Sequence, residues 1–143
     1  MVNLQLEAQI LYNKAFYCSQ NHNILLTVKN TQLDDNHPCN IEVVSDKGCV
    51  PHDWIPENSS LRIIYNSSLF KNFIQSLLSV EKIYPYADTL SSINYNYYKK
   101  GQQLGWHFDN ASFAISLMIQ SPASGGNFQY VFNARNVEKN ILI

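Results

Sequence analysis

Strict alternation in Ser92-Ile93-Asn94-Tyr95-Asn96-Tyr97-Tyr98 limits the fold more than any other part of this sequence. Successive side chains of an extended chain point to opposite faces, so Ile93, Tyr95 and Tyr97 share one side and Asn94, Asn96 and Tyr98 the other. The spacing predicts a strand with one apolar and one polar face. Lys99-Lys100-Gly101 predicts a turn, and Gly105-Trp106-His107-Phe108-Asp109 carries the chain onward. On an extended segment His107 and Asp109 project to one side, where an imidazole nitrogen and a carboxylate oxygen can grip one cation. Those are two of the three protein donors in the 2-His-1-carboxylate triad that holds non-haem Fe(II). The same spacing, taken alone, also fits an ordinary pair of surface polar residues.

Further strands are expected on either side. Phe113 to Ile119 and the residues Phe128, Tyr130 and Phe132 alternate again, with Pro122 and Gly125-Gly126 as the turn between them. Upstream, Ile24 to Val28 and Ile41 to Val44 read as strands separated by the turn-forming Asp34-Asp35-Asn36-His37-Pro38. Asp46 to Ser60, with Gly48, Pro51 and Pro56, reads as a long irregular connection. Two helices are predicted. The better one begins at the capping hydroxyls of Ser67 and Ser68 and carries Leu69, Phe70, Phe73, Ile74, Leu77 and Leu78 on one face. The other lies within Leu4 to Tyr17, with looser periodicity.

These elements predict a mainly β chain with a flanking helix, α+β in class, arranged as an antiparallel meander or a partial double-stranded β-helix (jelly roll). At 143 residues the chain has room for one ordinary core. Residues 1–60 read as an N-terminal strand and loop extension, and 61–143 as the helix with the first half of the jelly roll, together one compact unit. The nine Tyr and seven Phe favour sheet. An unpaired edge near Phe132 is expected to offer a route to self-association.

Composition narrows the partners. The formal net charge is only -1, with ten basic and eleven acidic residues, which gives no electrostatic footprint for nucleic acid or an anionic membrane. A small-molecule partner is expected. No apolar run approaches membrane-spanning length, and Gln5, Glu7 and Gln9 interrupt the N-terminal apolar residues, unlike a signal peptide. Cys18, Cys39 and Cys49 form no C-x-x-C pair and read as buried small hydrophobes in a reducing, cytoplasmic setting.

Taken together, the run from Asn94 to Asp109 resembles the metal-binding core of the Fe(II)- and 2-oxoglutarate-dependent dioxygenases. Its Tyr, Gly and H-x-D spacing is similar to that of the prolyl-hydroxylase-like branch. Tyr84-Pro85-Tyr86-Ala87-Asp88, Leu104 to Asp109 and Gly125 to Val131 resemble most nearly the bacterial group of free amino-acid hydroxylases and halogenases. The resemblance implies that His107 and Asp109 are iron ligands and that 2-oxoglutarate is the cosubstrate. Asn94, Asn96 and Tyr98 would line the pocket for 2-oxoglutarate or substrate, or else be hydrogen-bonded polar positions of a sheet. Trp106 and Phe108 are expected to pack on the opposite face, while His22, His37 and His52 are not expected to be ligands.

In the halogenases of that group a glycine replaces the carboxylate ligand to make room for halide. Asp109 therefore implies a hydroxylase acting on a small molecule such as a free amino acid. The family places its distal iron histidine and its 2-oxoglutarate arginine well beyond the Gly-Gly turn. No His follows His107, and Arg135 lies too early for the arginine's role, so the expectation is a chain cut short of those strands. The alternative is a catalytically inactive jelly-roll remnant that binds a small molecule or a partner, or a site completed by a second chain.

Overall fold

The computed structural model describes residues 3–109, 111–132, 134–136 and 141–142. Contacts divide the chain into two units, Met1–Asn21 with Val44–Gly105, and His22–Val43 with Trp106–Ile143.

In the first unit, helix α1 spans Leu4–Leu11, and Asn3 caps it by accepting a 3.0 Å hydrogen bond from the Leu6 amide. A 3-10 turn, Tyr12–Lys14, ends the helix earlier than the predicted Tyr17, because Ala15 turns extended and leads into strand β1, Phe16–Asn23. Strand β2, Glu42–Pro51, begins near the predicted Ile41 but runs on through Asp46 to Pro51, where the sequence suggested a loop. Gly48 explains the difference. A Cβ there would lie 2.7 Å from the Tyr17 ring, so this glycine permits close approach between strands rather than marking a turn.

Two adjacent helices follow, α2 over Ser60–Asn66 and α3 over Ser68–Leu78. The predicted cap of α3 is present, since Ser67 Oγ accepts from the Phe70 amide at 3.4 Å. Its C-terminus closes on Ser79 in the left-handed region, φ 54°, with the Val80 amide bonded back to the Gln75 carbonyl at 3.1 Å. Only Ile74 of its apolar stripe is buried, whereas Leu69, Phe73 and Leu77 stay exposed, so the face buries less than its periodicity suggested. Helix α2 went unpredicted. It starts at Ser59, whose hydroxyl accepts from the Leu61 and Arg62 amides.

Strand β3, Asn94–Tyr97, falls where alternation placed it, and Gly101 forms the following turn at φ 85°. The sheet order is β1-β2-β3; β2 is central and runs antiparallel to β3, with Gly48 opposite Tyr97, Cys49 opposite Asn96, Val50 opposite Tyr95 and Pro51 opposite Asn94. Leu11, Val50, Ile55, Ile74 and Tyr95 form the apolar core of this unit. Polar contacts tie it together. The Glu7 carboxylate accepts from Ser59 Oγ at 2.5 Å, the Ser60 amide at 2.7 Å and Tyr95 Oη at 2.7 Å, while Tyr97 Oη donates to the Ala8 carbonyl at 2.8 Å.

The second unit is organised by two buried asparagines. Asn23 donates to the carbonyls of Thr27 and Cys39 at 2.6 and 2.8 Å and accepts from the Thr27 amide at 3.1 Å. Asn40 Nδ2 lies 2.9, 3.1 and 2.9 Å from the carbonyl oxygens of Asn30, Leu33 and Asp34. The predicted Asp34 to Pro38 turn is present. Ile24 to Val28, however, is not a strand, because the Asn23 side chain folds the chain back at Thr27 and Leu26 sits in the left-handed region at φ 55°. Phe113 to Ile119 and Phe128 to Phe132 are likewise not strands: alternation gives each a face, but no strand pairs with either among the described residues. Two short strands, β4 (Arg135–Asn136) and β5 (Ile141–Leu142), pair antiparallel beyond them. Of the expected C-terminal part, residues 137–140 lie outside the described residues.

The observed fold is thus a small α+β arrangement with a three-stranded sheet and three α-helices among the described residues. No helix among them is long and apolar enough to cross a membrane. Cys39 is buried and Cys49 half-buried, but Cys18 is exposed, because outward positions of β1 have no covering layer.

Two substitutions probe this framework. Burial pushes the Glu7 carboxyl up, but hydrogen bonds from Ser59, Tyr95, Ser60 and Leu61 outweigh it and hold the group below its ordinary range. Its contribution is therefore present above the unfolded value, about 4.3, and is lost as pH falls through the lower folded value. Glu7→Gln should cost about 1–2 kcal/mol at neutral pH, and the gap in Tm from wild type should close in acid, measured by circular dichroism melts. Gly48→Ala should cost about 1–3 kcal/mol in urea unfolding, because the new methyl must displace the Tyr17 ring.

Candidate metal pair and polar sheet face

His107 and Asp109 lie in the second unit on irregular backbone after the Gly101 turn. Their segment is held between two fixed points. The Gly105 amide donates to Ser45 Oγ at 3.0 Å, and the Phe108 amide donates to the Ile24 carbonyl at 3.2 Å. Phe108 is half-buried, but Trp106 is 44 % exposed, so the expectation that both indoles and phenyls pack behind the pair fails for the tryptophan. A segment without a paired strand on both sides has no second layer to cover that ring.

His107 Nε2 is 3.5 Å from Asp109 Oδ1, with side-chain exposures of 26 % and 58 %. The two side chains are therefore in contact, but on irregular backbone rather than on the extended segment from which the spacing argument started. Ligands at right angles around a small divalent cation, each about 2.1 Å away, stand about 3.0 Å apart. The observed separation is close to that, and both side chains are open to solvent, so the pair fits two neighbouring coordination positions. No group of three His, Cys, Asp or Glu side chains able to hold a metal converges among the described residues. Two donors fall one short of the three protein positions that a facial triad requires.

Asn94, Asn96 and Tyr98 lie in the first unit. Asn96 Nδ2 donates to Asn94 Oδ1 at 2.7 Å, so the two amides already form one polar strip. Tyr98 is one residue past the end of β3, and burial together with the nearby Cys49 raises its phenol above the ordinary value. It stays a protonated donor at neutral pH. The opposite face of the strand is different: Tyr95 is 3 % exposed and hydrogen-bonded to Glu7, and burial pushes the Tyr97 phenol up to about 12.

The other histidines have local roles that the sequence did not disclose. His37 Nδ1 is 3.1 Å from Cys39 Sγ, and His22 Nδ1 lies 2.9 Å from the Asn23 carbonyl oxygen. His52 Nδ1 forms a short hydrogen bond with Ser92 Oγ, and its ring meets Tyr65 edge-on. Burial and the Arg62 guanidinium lower the His52 value, against an opposing pull from Asp53.

A family model described as Halogenase D matches residues 21–142. The chain belongs to the halogenase D family, a membership compatible with the 2-oxoglutarate oxygenase resemblance of its H-x-D segment. No curated protein and no solved structure matches it.

A metal titration tests the pair. The wild-type chain should give a Co(II) absorption band that His107→Ala and Asp109→Ala abolish and that His37→Ala, on the separate His37 and Cys39 contact, leaves intact.

Proposed function

We propose that this chain acts as an Fe(II)- and 2-oxoglutarate-dependent oxygenase of the hydroxylase type, on a small molecule such as a free amino acid. The carrying observation is the facing of His107 Nε2 and Asp109 Oδ1 at 3.5 Å inside the stretch that matches the Halogenase D family. Iron would supply the hydroxylation chemistry with dioxygen as the oxidant, one oxygen atom going to the substrate and the other to 2-oxoglutarate, which leaves as succinate and carbon dioxide. His107 and Asp109 hold the metal. The carboxylate at Asp109 favours hydroxylation over halogenation, because it fills the position that a halide would need.

Asn94, Asn96 and Tyr98 are the donors for cosubstrate or substrate oxygen atoms. Amides and a protonated phenol suit that task, since each donates a hydrogen bond without carrying a charge that must be neutralised. The apolar side of β3, anchored through Tyr95 and Tyr97 to α1, keeps these donors on their own face. The finer fold reading, a partial jelly roll, belongs to this proposal; the antiparallel pairing of β2 with β3 supports it.

The test is succinate formation from 2-oxoglutarate with added Fe(II). Wild type should exceed background and His107→Ala should fall to it. Equal background in both overturns catalysis and leaves the reading of a non-catalytic binding module.

A further inference from the structure

The Glu7 carboxylate that ties α1 to the start of α2 also lines an open cleft of about 340 Å³ between them. One wall is the α1 stripe Leu6, Glu7, Ile10 and Leu11, which falls at i, i+1, i+4 and i+5 and so lies on a single helix face. The other wall is the turn into α2, with Pro56, Asn58 and Ser60. Leu11 is buried but Leu6 and Ile10 are exposed, so the chain covers only one end of the stripe. A cleft of this volume is at the small end of ligand sites.

Glu7 is the one charged group among the described residues that line the cleft. Its donors, the Ser59 hydroxyl, the Ser60 amide and the Tyr95 hydroxyl, are all neutral, and it makes no ion pair among the described residues. Those bonds keep the carboxyl ionised at neutral pH. Oε1 receives two of them and Oε2 only the Ser60 amide, so Oε2 keeps a lone pair for a further donor. A half-buried carboxylate without a counter-cation, set beside exposed apolar walls, is complementary to a ligand that joins a cation to an apolar chain. A carboxylate on that ligand would meet Glu7 with no Lys, Arg or His in the described lining to offset the repulsion, which excludes amino acids and dicarboxylates.

We propose that the cleft between α1 and the turn into α2 binds a small aliphatic ammonium, with its cation on Glu7 Oε2 and its chain along Leu6, Ile10 and Pro56. Ser60 and Asn58, which line the same cleft, bring oxygen acceptors for the remaining ammonium hydrogens. The site lies wholly within the first unit and is independent of His107 and Asp109. A bound ammonium adds a contact between α1 and α2 at the carboxylate that already joins them, so occupancy and the stability of this unit are linked.

Calorimetric titration of the full chain at neutral pH tests the site with hexylammonium chloride, set against hexanol, which lacks the charge, hexanoate, which reverses it, and methylammonium, which lacks the chain. Hexylammonium should bind saturably at one site, and each of the other three about tenfold more weakly or worse. Glu7→Gln should weaken hexylammonium binding by about tenfold. Because Glu7 also supports the fold, Ile10→Lys gives a second reading: it sets a cation at an exposed position on the cleft wall and should cause a similar loss. Leu69→Lys, on the exposed face of α3, should leave the affinity unchanged. Circular dichroism melts confirm that each variant is folded. Hexanol binding as tightly as hexylammonium would reduce the cleft to plain apolar surface and overturn the proposal. Unchanged affinity in Ile10→Lys, an equal loss in Leu69→Lys, or no saturable binding of hexylammonium would overturn it as well.

Discussion

One carboxylate joins three distant parts of the chain. Glu7 receives hydrogen bonds from Ser59, Ser60 and Tyr95, so α1, the start of α2 and the middle of β3 meet at a single charged group. Each bond to a charged partner contributes about 1.5–3 kcal/mol, well above a neutral pair. The group also sits where α2 exposes unsatisfied amides, which favours negative charge. Because Tyr95 is fixed from below, alternation fixes Asn94 and Asn96 above. The polar face is therefore set by a contact made on the opposite side of the strand.

The two units are held by different physics. The first buries Leu11, Val50, Ile55, Ile74 and Tyr95, and its polar contacts frame that core. The second buries Asn23, Asn40 and Cys39, and its loops are fixed by side-chain amides acting in place of a sheet ladder. Amide networks specify geometry more sharply than they stabilise, because each donor must meet its acceptor or leave it unsatisfied. The His107 and Asp109 segment docks onto this second type of structure through the Phe108 amide and the Ile24 carbonyl.

What the sequence disclosed follows from which signals are local. Helix α3, strand β3 and the Gly101 turn each carry their own periodicity or backbone demand, and each was legible. Strand β1, Phe16–Asn23, was not, because its polar composition has no alternation and its extended form depends on pairing with β2. The reverse error arose at Ile24 to Val28, where apolar branched residues suggested a strand but the Asn23 amide imposes a turn. Of the candidate site, the contact between His107 and Asp109 could be read from a two-residue spacing, though not the irregular backbone that carries it. The place of Cys49 opposite Asn96 could not, since only the register of β2 against β3 sets it.

Asn40 shows how much of the second unit hangs on one nitrogen. Three carbonyl oxygens converge on its Nδ2, while its own Oδ1 accepts from the Asn30 amide at 3.0 Å. Two amide hydrogens are thus shared among three acceptors, and the position tolerates only a donor. Side-chain hydrolysis, the slow chemical ageing to which asparagine is prone, would put a negative oxygen in place of that nitrogen. The loop from Asn30 to Asn40 would then face repulsion at its centre, so its geometry depends on the covalent integrity of one amide as well as on the stability of the fold.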